Sequence, residues 1–410
     1  MQKFVEWMEI HFAPPMNKIN RNVWVLTLKD SIMQVLPMIL VGSLVTVLSI
    51  IKNFIPQFPD LSTLSSYTMG LLSVFIAWLI PFNFMEKKKI NRMRLIAGMS
   101  GVSLFMVIVK LQEITLVQFK YFGAGGMFVA IVAGIYVAFI MGIAGKYSFF
   151  KENSAIPDFV RVWFDAIIPI LVVTASGWLA VYILRLDLYQ ILINIFMPIT
   201  SFAQTLPGFL LISFLMVFLY SMGISGWVLF PITKPIFLAG ITANMAAVAA
   251  GGVAANIVTA EVIYSGWIAI GGVGATLPLV IMLLRSKSKR LKALGSASLV
   301  PGIFNINEPV IFGAVAWNPV LMIPMWLQGI ILPLITWLVL KAGVVNIPAS
   351  VFDMWYCPFP ISTWIVSQDL SGLILFAALA SVSVLIWYPF FSIYQKQQLA
   401  EEAAQVNASN

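Results

Sequence analysis

The chain has 410 residues, enough for two or three soluble domains, but 60% of them are hydrophobic, only 10% are charged, and the mean hydropathy is +0.96. About a quarter of the residues of a soluble domain are charged, so too little polar surface is present to cover such domains and lipid must serve as the solvent. The net charge of +8 sits in short loops between apolar stretches; with no continuous basic face, no nucleic-acid partner is expected.

Met1 to Asp30 mixes Lys3, Glu6, Glu9, Lys18, Arg21 and Lys29 with apolar residues, unlike the uncharged core of a cleavable signal peptide. Phe4, Val5, Trp7, Met8, Ile10 and Phe12 predict a surface helix that Pro14 and Pro15 stop. Apolar stretches close to the ~20 residues that cross a bilayer follow at Ile32–Ile51, Tyr67–Met85, Met93–Val109, Gly125–Gly145 and Trp163–Leu184. Lys87, Lys88, Lys89, Arg92 and Arg94 mark one connection, and Lys146 and Lys151 another. The positive-inside rule makes both cytoplasmic and puts the N-terminus inside.

Beyond Arg185 the texture changes. Leu186–Leu206 contains Asn194, Pro198 and Gln204 and is expected along the interface. Gly208–Tyr220 is short, and Gly223, Gly226, Pro231 and Pro235 predict a break after it. Ile263–Leu284 reads as an unbroken span ending at a basic loop of Arg285, Lys287, Lys289, Arg290 and Lys292. Val300–Asn318 is interrupted by Pro301, Asn305, Asn307, Glu308 and Pro309, and Pro348–Gln368 is broken as well; Val320–Leu340 and Leu373–Tyr394 span. Irregular backbone at membrane depth persists only where protein or a wet cavity covers it, and transporters build substrate sites from such segments. The expected organisation is therefore a membrane scaffold over 1–185 and a substrate-binding membrane domain over 186–410.

Between Asp187 and Arg285 the only charged residues are Lys234 and Glu261, and between Lys292 and Lys341 only Glu308. An ionisable group within the membrane is expensive and marks a candidate site. Glu308, flanked by Asn305 and Asn307, offers a carboxylate acceptor and two amides, a set suited to sugar hydroxyls. Capping of broken helices is the competing role for the same residues. Lys234 reads equally as a snorkelling side chain or a carboxylate partner, and Glu261 as a residue near an interface. Trp227, Trp267, Trp317 and Trp355 are candidates to stack on sugar faces, although most tryptophans here should anchor at the interface. With Cys357 the lone cysteine and His11 the lone histidine, no internal disulfide, metal site or cofactor is expected.

The run Ser286–Pro324, SKSKRLKALGSASLVPGIFNINEPVIFGAVAWNPVLMIP, resembles the signature of the membrane component, enzyme IIC, of the bacterial sugar phosphotransferase system, in its lactose/cellobiose/chitobiose branch. The stretch Gly271-Gly272-Val273-Gly274-Ala275-Thr276-Leu277 resembles that family's glycine-rich turn, and Leu385–Tyr394 its last helix. The resemblance implies an all-α polytopic membrane protein with about ten transmembrane helices plus re-entrant hairpins, in the bacterial cytoplasmic membrane. It further implies a homodimer joined through the N-terminal half, and a C-terminal half that holds a disaccharide and moves as a rigid body. The sugar is then phosphorylated by a phosphocysteine on a separate IIB protein fed by IIA, so IIC is not a catalyst on its own. By the same resemblance the NINEP carboxylate that meets the sugar falls on Glu308, with Asn307 beside it.

Two departures matter. A Gly-Ile-His-Gly motif is usual in that family, and here the matching residues are Gly223-Ile224-Ser225-Gly226. Serine bonds a hydroxyl but is no base near neutral pH, whereas histidine is. A Pro-Trp-Thr-Thr-Pro-like stretch is replaced by Cys357-Pro358-Phe359-Pro360-Ile361. Alternatives to a phosphotransferase permease for a β-linked disaccharide are therefore a facilitator without phosphorylation and a membrane sensor or docking protein on the same fold.

Overall fold

Apolar runs of membrane-crossing length must bond their own backbone groups, and they do so as helices. The computed structural model describes residues 7, 10–11, 13–53, 55, 57–111, 119–150 and 156–409, and among them the ordered elements are all helical. Seven helical stretches are long and apolar enough to cross a membrane, from Val23–Ser49 to Leu370–Gln405, or eight when the pair Leu188–Ala203 and Leu206–Ser221, bent by 84°, is taken as one span. The chain is thus an all-α, multi-pass membrane protein. Most of the expected surface helix over Phe4–Phe12 lies outside the described residues. Pro14 and Pro15 fall at the start of the helix α1 (Ala13–Asn20), where proline lacks only an N–H that a first turn leaves unbonded anyway; the join to the preceding stretch lies outside the described residues.

The chain forms two compact units, the first made of residues 20–200 and 230–235 and the second of the remainder. The first contains α2 (Val23–Gln34), α3 (Leu36–Ser49), α4 (Ser62–Thr68), α5 (Leu72–Lys87), α6 (Arg94–Ile108), α7 (Met127–Ala144), α8 (Asp158–Trp178) and most of α9 (Leu188–Ala203). Helix α5 is its axis and packs on α2, α6 and α7. Lipid offers no hydrophobic drive for helix pairing, so small residues and polar pairs hold such bundles together. A Cβ on Gly101 would lie 2.0 Å from the Ala77 carbonyl oxygen, and one on Gly134 would lie 2.8 Å from Ile80 Cβ. Asn83 donates to Ser31 Oγ at 2.9 Å and Gln34 Oε1 at 3.0 Å, and Arg92 pairs with the buried Asp165 at 2.6 Å. Helix α9 groups here because Phe196 stacks on Phe128 at 4.5 Å and Tyr189 meets Tyr121 edge-on at 4.7 Å.

The second unit contains α10 (Leu206–Ser221), most of α11 (Phe230–Ala249), α12 (Leu277–Leu284), α13 (Lys289–Ile303), α14 (Pro319–Lys341), α15 (Ile361–Ser367) and α16 (Leu370–Ser409). Helix α14 packs between α10 and α16, and the α12–α13 hairpin packs on α16. Leu279, Leu283, Leu291, Ile311, Met325 and Trp387 meet in one buried cluster. The hairpin loop is bonded to the far end of α16: Glu402 accepts from Ser288 Oγ at 2.6 Å and Arg290 N at 3.0 Å, and Gln395 Oε1 accepts from Ser286 Oγ at 2.7 Å.

Two span expectations are corrected. Ile263–Leu284 is not one helix. A π turn over Glu261–Gly266 leads into irregular chain that reaches α12 only at Leu277. Gly271, Gly272 and Gly274, with φ of +77°, +105° and +91°, and Ala275 at +49°, are left-handed and unwind the helix. The break expected after Gly208–Tyr220 is present past Ser221 but is shorter than expected: α11 begins at Phe230, with Pro231 in its first turn and Pro235 inside it. The interrupted readings of Val300–Asn318 and Pro348–Gln368 match the structure: α13 ends at Ile303, and α15 begins only at Ile361.

The α5–α6 crossing is testable. Gly101→Val should force the helices apart, costing about 1–3 kcal/mol of overpacking and lowering the unfolding temperature of the purified protein by several degrees. An unchanged unfolding temperature would mean the helices do not approach that closely.

Candidate functional site

The end of α13 is closed by a residue that tolerates left-handed backbone. Asn305 sits at φ +61°, and the Ile306 N–H donates to the Pro301 carbonyl at 2.9 Å, a helix stop normally given to Gly or Asn. The Asn305 side chain then holds three pieces of chain together. Its Oδ1 accepts from Gly271 N at 3.0 Å, and its Nδ2 donates to the carbonyls of Trp355 at 2.8 Å and Cys357 at 2.9 Å. Asn307 repeats the device, donating from Nδ2 to the Val273 carbonyl at 2.8 Å and Thr276 Oγ1 at 3.1 Å. A Cβ on Gly272 would lie 2.4 Å from the Asn307 side chain, so glycine is required for that amide to reach the turn.

Both asparagines are buried, whereas Glu308, the next residue after Asn307, is exposed. Glu308 opens a single turn with Pro309, which passes into a π turn over Ile311–Val315. Its carboxylate lies near the hydroxyl of Tyr220 at the end of α10. Tyr220 is buried and meets Phe312 edge-on, with ring centroids 6.2 Å apart. Trp317, left-handed at φ +60°, donates its backbone N–H to the Ser221 carbonyl at 3.0 Å. Across from it, a Cβ on Gly223 would lie 3.5 Å from Trp317 Nε1.

Ser225 lies two residues past Gly223, half-buried, and its Oγ accepts from Trp227 N at 3.4 Å. The Trp227 and Trp355 rings meet edge-on at 6.0 Å, and Trp355 in turn meets Tyr356 at 5.7 Å. Because Asn305 holds the Trp355 carbonyl, contacts run from the Ser225 loop through Trp227, Trp355 and Asn305 to Glu308, and back through Tyr220 to Gly223. The second unit thus brings together Ser225, Asn305, Asn307 and Glu308. Lys234, on the segment assigned to the first unit, is 1% exposed, with its ammonium 5.7 Å from the Phe230 ring centroid.

Several residues here were misread or missed. Trp267 is fully buried and its indole donates to the Gly372 carbonyl at 2.9 Å, so it is a packing residue with no face for a ligand. Glu261, expected near an interface, is 1% exposed, and its Oε1 accepts from Phe352 N at 3.0 Å. It anchors the extended chain that leads to Trp355. Tyr220 reads in the sequence only as the end of an apolar run, and its partner is far along the chain. No local pattern could have found it.

A displayed carboxylate, a tyrosine hydroxyl and indole rings, all carried on backbone fixed by buried amides, form a surface for hydroxyls and apolar ring faces. The chain matches the family model described as "Phosphotransferase system, EIIC" over residues 29–329, and it belongs to that family. It is 28% identical to the putative permease IIC component YwbA of Bacillus subtilis (strain 168), covering 98% of each chain. It is also 28% identical to the cellobiose-specific EIIC component of Geobacillus stearothermophilus, over 100% of this chain and 98% of the relative. The solved structure of ChbC, the IIC component of an N,N'-diacetylchitobiose-specific phosphotransferase system, aligns with a TM-score of 0.87 at 26% identity, covering 97% of this chain and 99% of that one.

Proposed function

We propose that this chain is the sugar permease of a phosphotransferase system for a β-linked disaccharide such as cellobiose or chitobiose. The observation that carries the reading is the exposed Glu308 carboxylate, set beside Tyr220 on backbone that Asn305 and Asn307 hold in place. In this reading Glu308 accepts two sugar hydroxyls, and Trp227, Trp317 and Trp355 offer apolar faces to the rings. Asn305 and Asn307 act by positioning Glu308, since each amide nitrogen already bonds two acceptors. Ser225 bonds the hydroxyl to be phosphorylated. The relatives favour β-linked sugars: a cellobiose-specific and an oligo-β-mannoside-specific EIIC component are among them, and ChbC belongs to an N,N'-diacetylchitobiose-specific system.

In the full proposal the N-terminal half is a scaffold and dimer interface, its N-terminus cytoplasmic. The C-terminal half carries the sugar by alternating access to phosphorylated IIB, itself charged by IIA. Ser225 favours a second reading, a sugar facilitator or membrane sensor without phosphoryl transfer. Serine has no ring nitrogen to take the proton of the attacking hydroxyl, and Ser225 Oγ here accepts a backbone hydrogen bond.

Glu308→Gln tests the site. A hydrogen bond to a charged group contributes about 1.5–3 kcal/mol, so disaccharide affinity should fall roughly ten- to a hundredfold, measured by calorimetry on the purified protein. The elution profile and unfolding temperature should stay close to those of the parent. Undiminished affinity would remove Glu308 from the site.

A further inference from the structure

Ser213 on α10 and Gln328 on α14 share an unmet need. The Ser213 hydroxyl and Gln328 Oε1 are both buried without a hydrogen-bond partner, and both residues line one cavity of about 20 Å³. Elsewhere helical serines return their hydroxyl to the carbonyl four residues back, as Ser43 does to Ile39, Ser100 to Ile96 and Ser381 to Ala377. Ser213 makes no such bond to Phe209. The orientation of Gln328 follows from its surroundings: Nε2 lies 3.1 Å from the Ser383 carbonyl oxygen and 2.9 Å from Ser383 Oγ. A carbonyl can only accept, so the nitrogen faces it and Oε1 is left for the cavity. Helices α10 and α14 are already in close contact beside it, since a Cβ on Gly329 would lie 2.3 Å from Val217 Cγ2; the void cannot close by a tighter crossing.

We propose that one water molecule is bound here as a fixed part of the protein, donating to Gln328 Oε1 and sharing a hydrogen bond with the Ser213 hydroxyl. The volume fits, because one water needs about 10–15 Å³ in a site with polar partners. The chemistry selects water over a cation: both side-chain oxygens are neutral, and no carboxylate lines the cavity. The remaining wall includes Val273 and Gly274 of the glycine turn, and the Val273 carbonyl is the one that holds Asn307. Ser213 also precedes Tyr220 by seven residues, nearly two turns along the same face of α10, or about 10 Å. The water therefore braces the joint between the helix that carries Tyr220 and the turn that positions Asn307.

The test is a map of the intact protein at a resolution that shows ordered water, for the parent and for Ser213→Val, whose added methyl groups occupy the space. Thermal unfolding of Ser213→Ala, Gln328→Met and the double variant accompanies it. Ser213→Ala also serves for the map if the valine variant does not fold. The parent should show one peak within hydrogen-bond distance of both oxygens, and the variant should show none. The double variant should lose less unfolding temperature than the two single losses added together, because a shared water couples groups that do not touch. An empty cavity in a map that resolves other buried waters would overturn the proposal. So would a peak ringed by several oxygens at cation distances, or strictly additive losses.

Discussion

The three hydrogen bonds of the Asn305 side chain are the constraint on which the broken segments of the second unit depend. Two lengths of chain that form no regular helix, one reaching Gly271 and the other running through Trp355 and Cys357, meet on one amide. Backbone groups left unbonded at membrane depth are costly, so broken segments survive only if side chains replace the missing helical bonds. Asn305 does this for three groups at once, and Asn307 and Glu261 extend the lattice to Val273, Thr276 and Phe352. One exposed carboxylate, Glu308, emerges from that lattice.

The residues that fix this geometry are buried, whereas the Glu308 carboxylate is exposed. The first unit is built on other means: close crossings at Gly101 and Gly134 and the polar pairs Asn83–Ser31 and Arg92–Asp165.

The membrane class and most helices were legible because composition and run length report them directly. Glu308 was legible because a lone acid in an apolar region needs a reason, and the interrupted Val300–Asn318 stretch was legible because proline and asparagine announce a break. Ile263–Leu284 was misread: hydropathy sees apolar residues, and only the backbone angles of Gly271, Gly272 and Gly274 show that the helix unwinds. The break after Tyr220 was read correctly but too long, since Pro231 starts a helix as readily as it ends one. Tyr220 and Glu261 were beyond reach, because their roles come from partners 88 and 91 residues away in the chain, Glu308 and Phe352. Ser225 was read from the motif it alters, and the structure adds its bond from Trp227 N.

The most direct test of the account is phosphorylation of radiolabelled cellobiose and chitobiose by membranes that contain this chain, supplied with phosphoenolpyruvate, the general phosphotransfer proteins and a matched IIA and IIB pair. The account predicts sugar phosphate that requires both IIB and this chain, formed with Ser225 in place. Membranes that neither bind nor phosphorylate either sugar would contradict it.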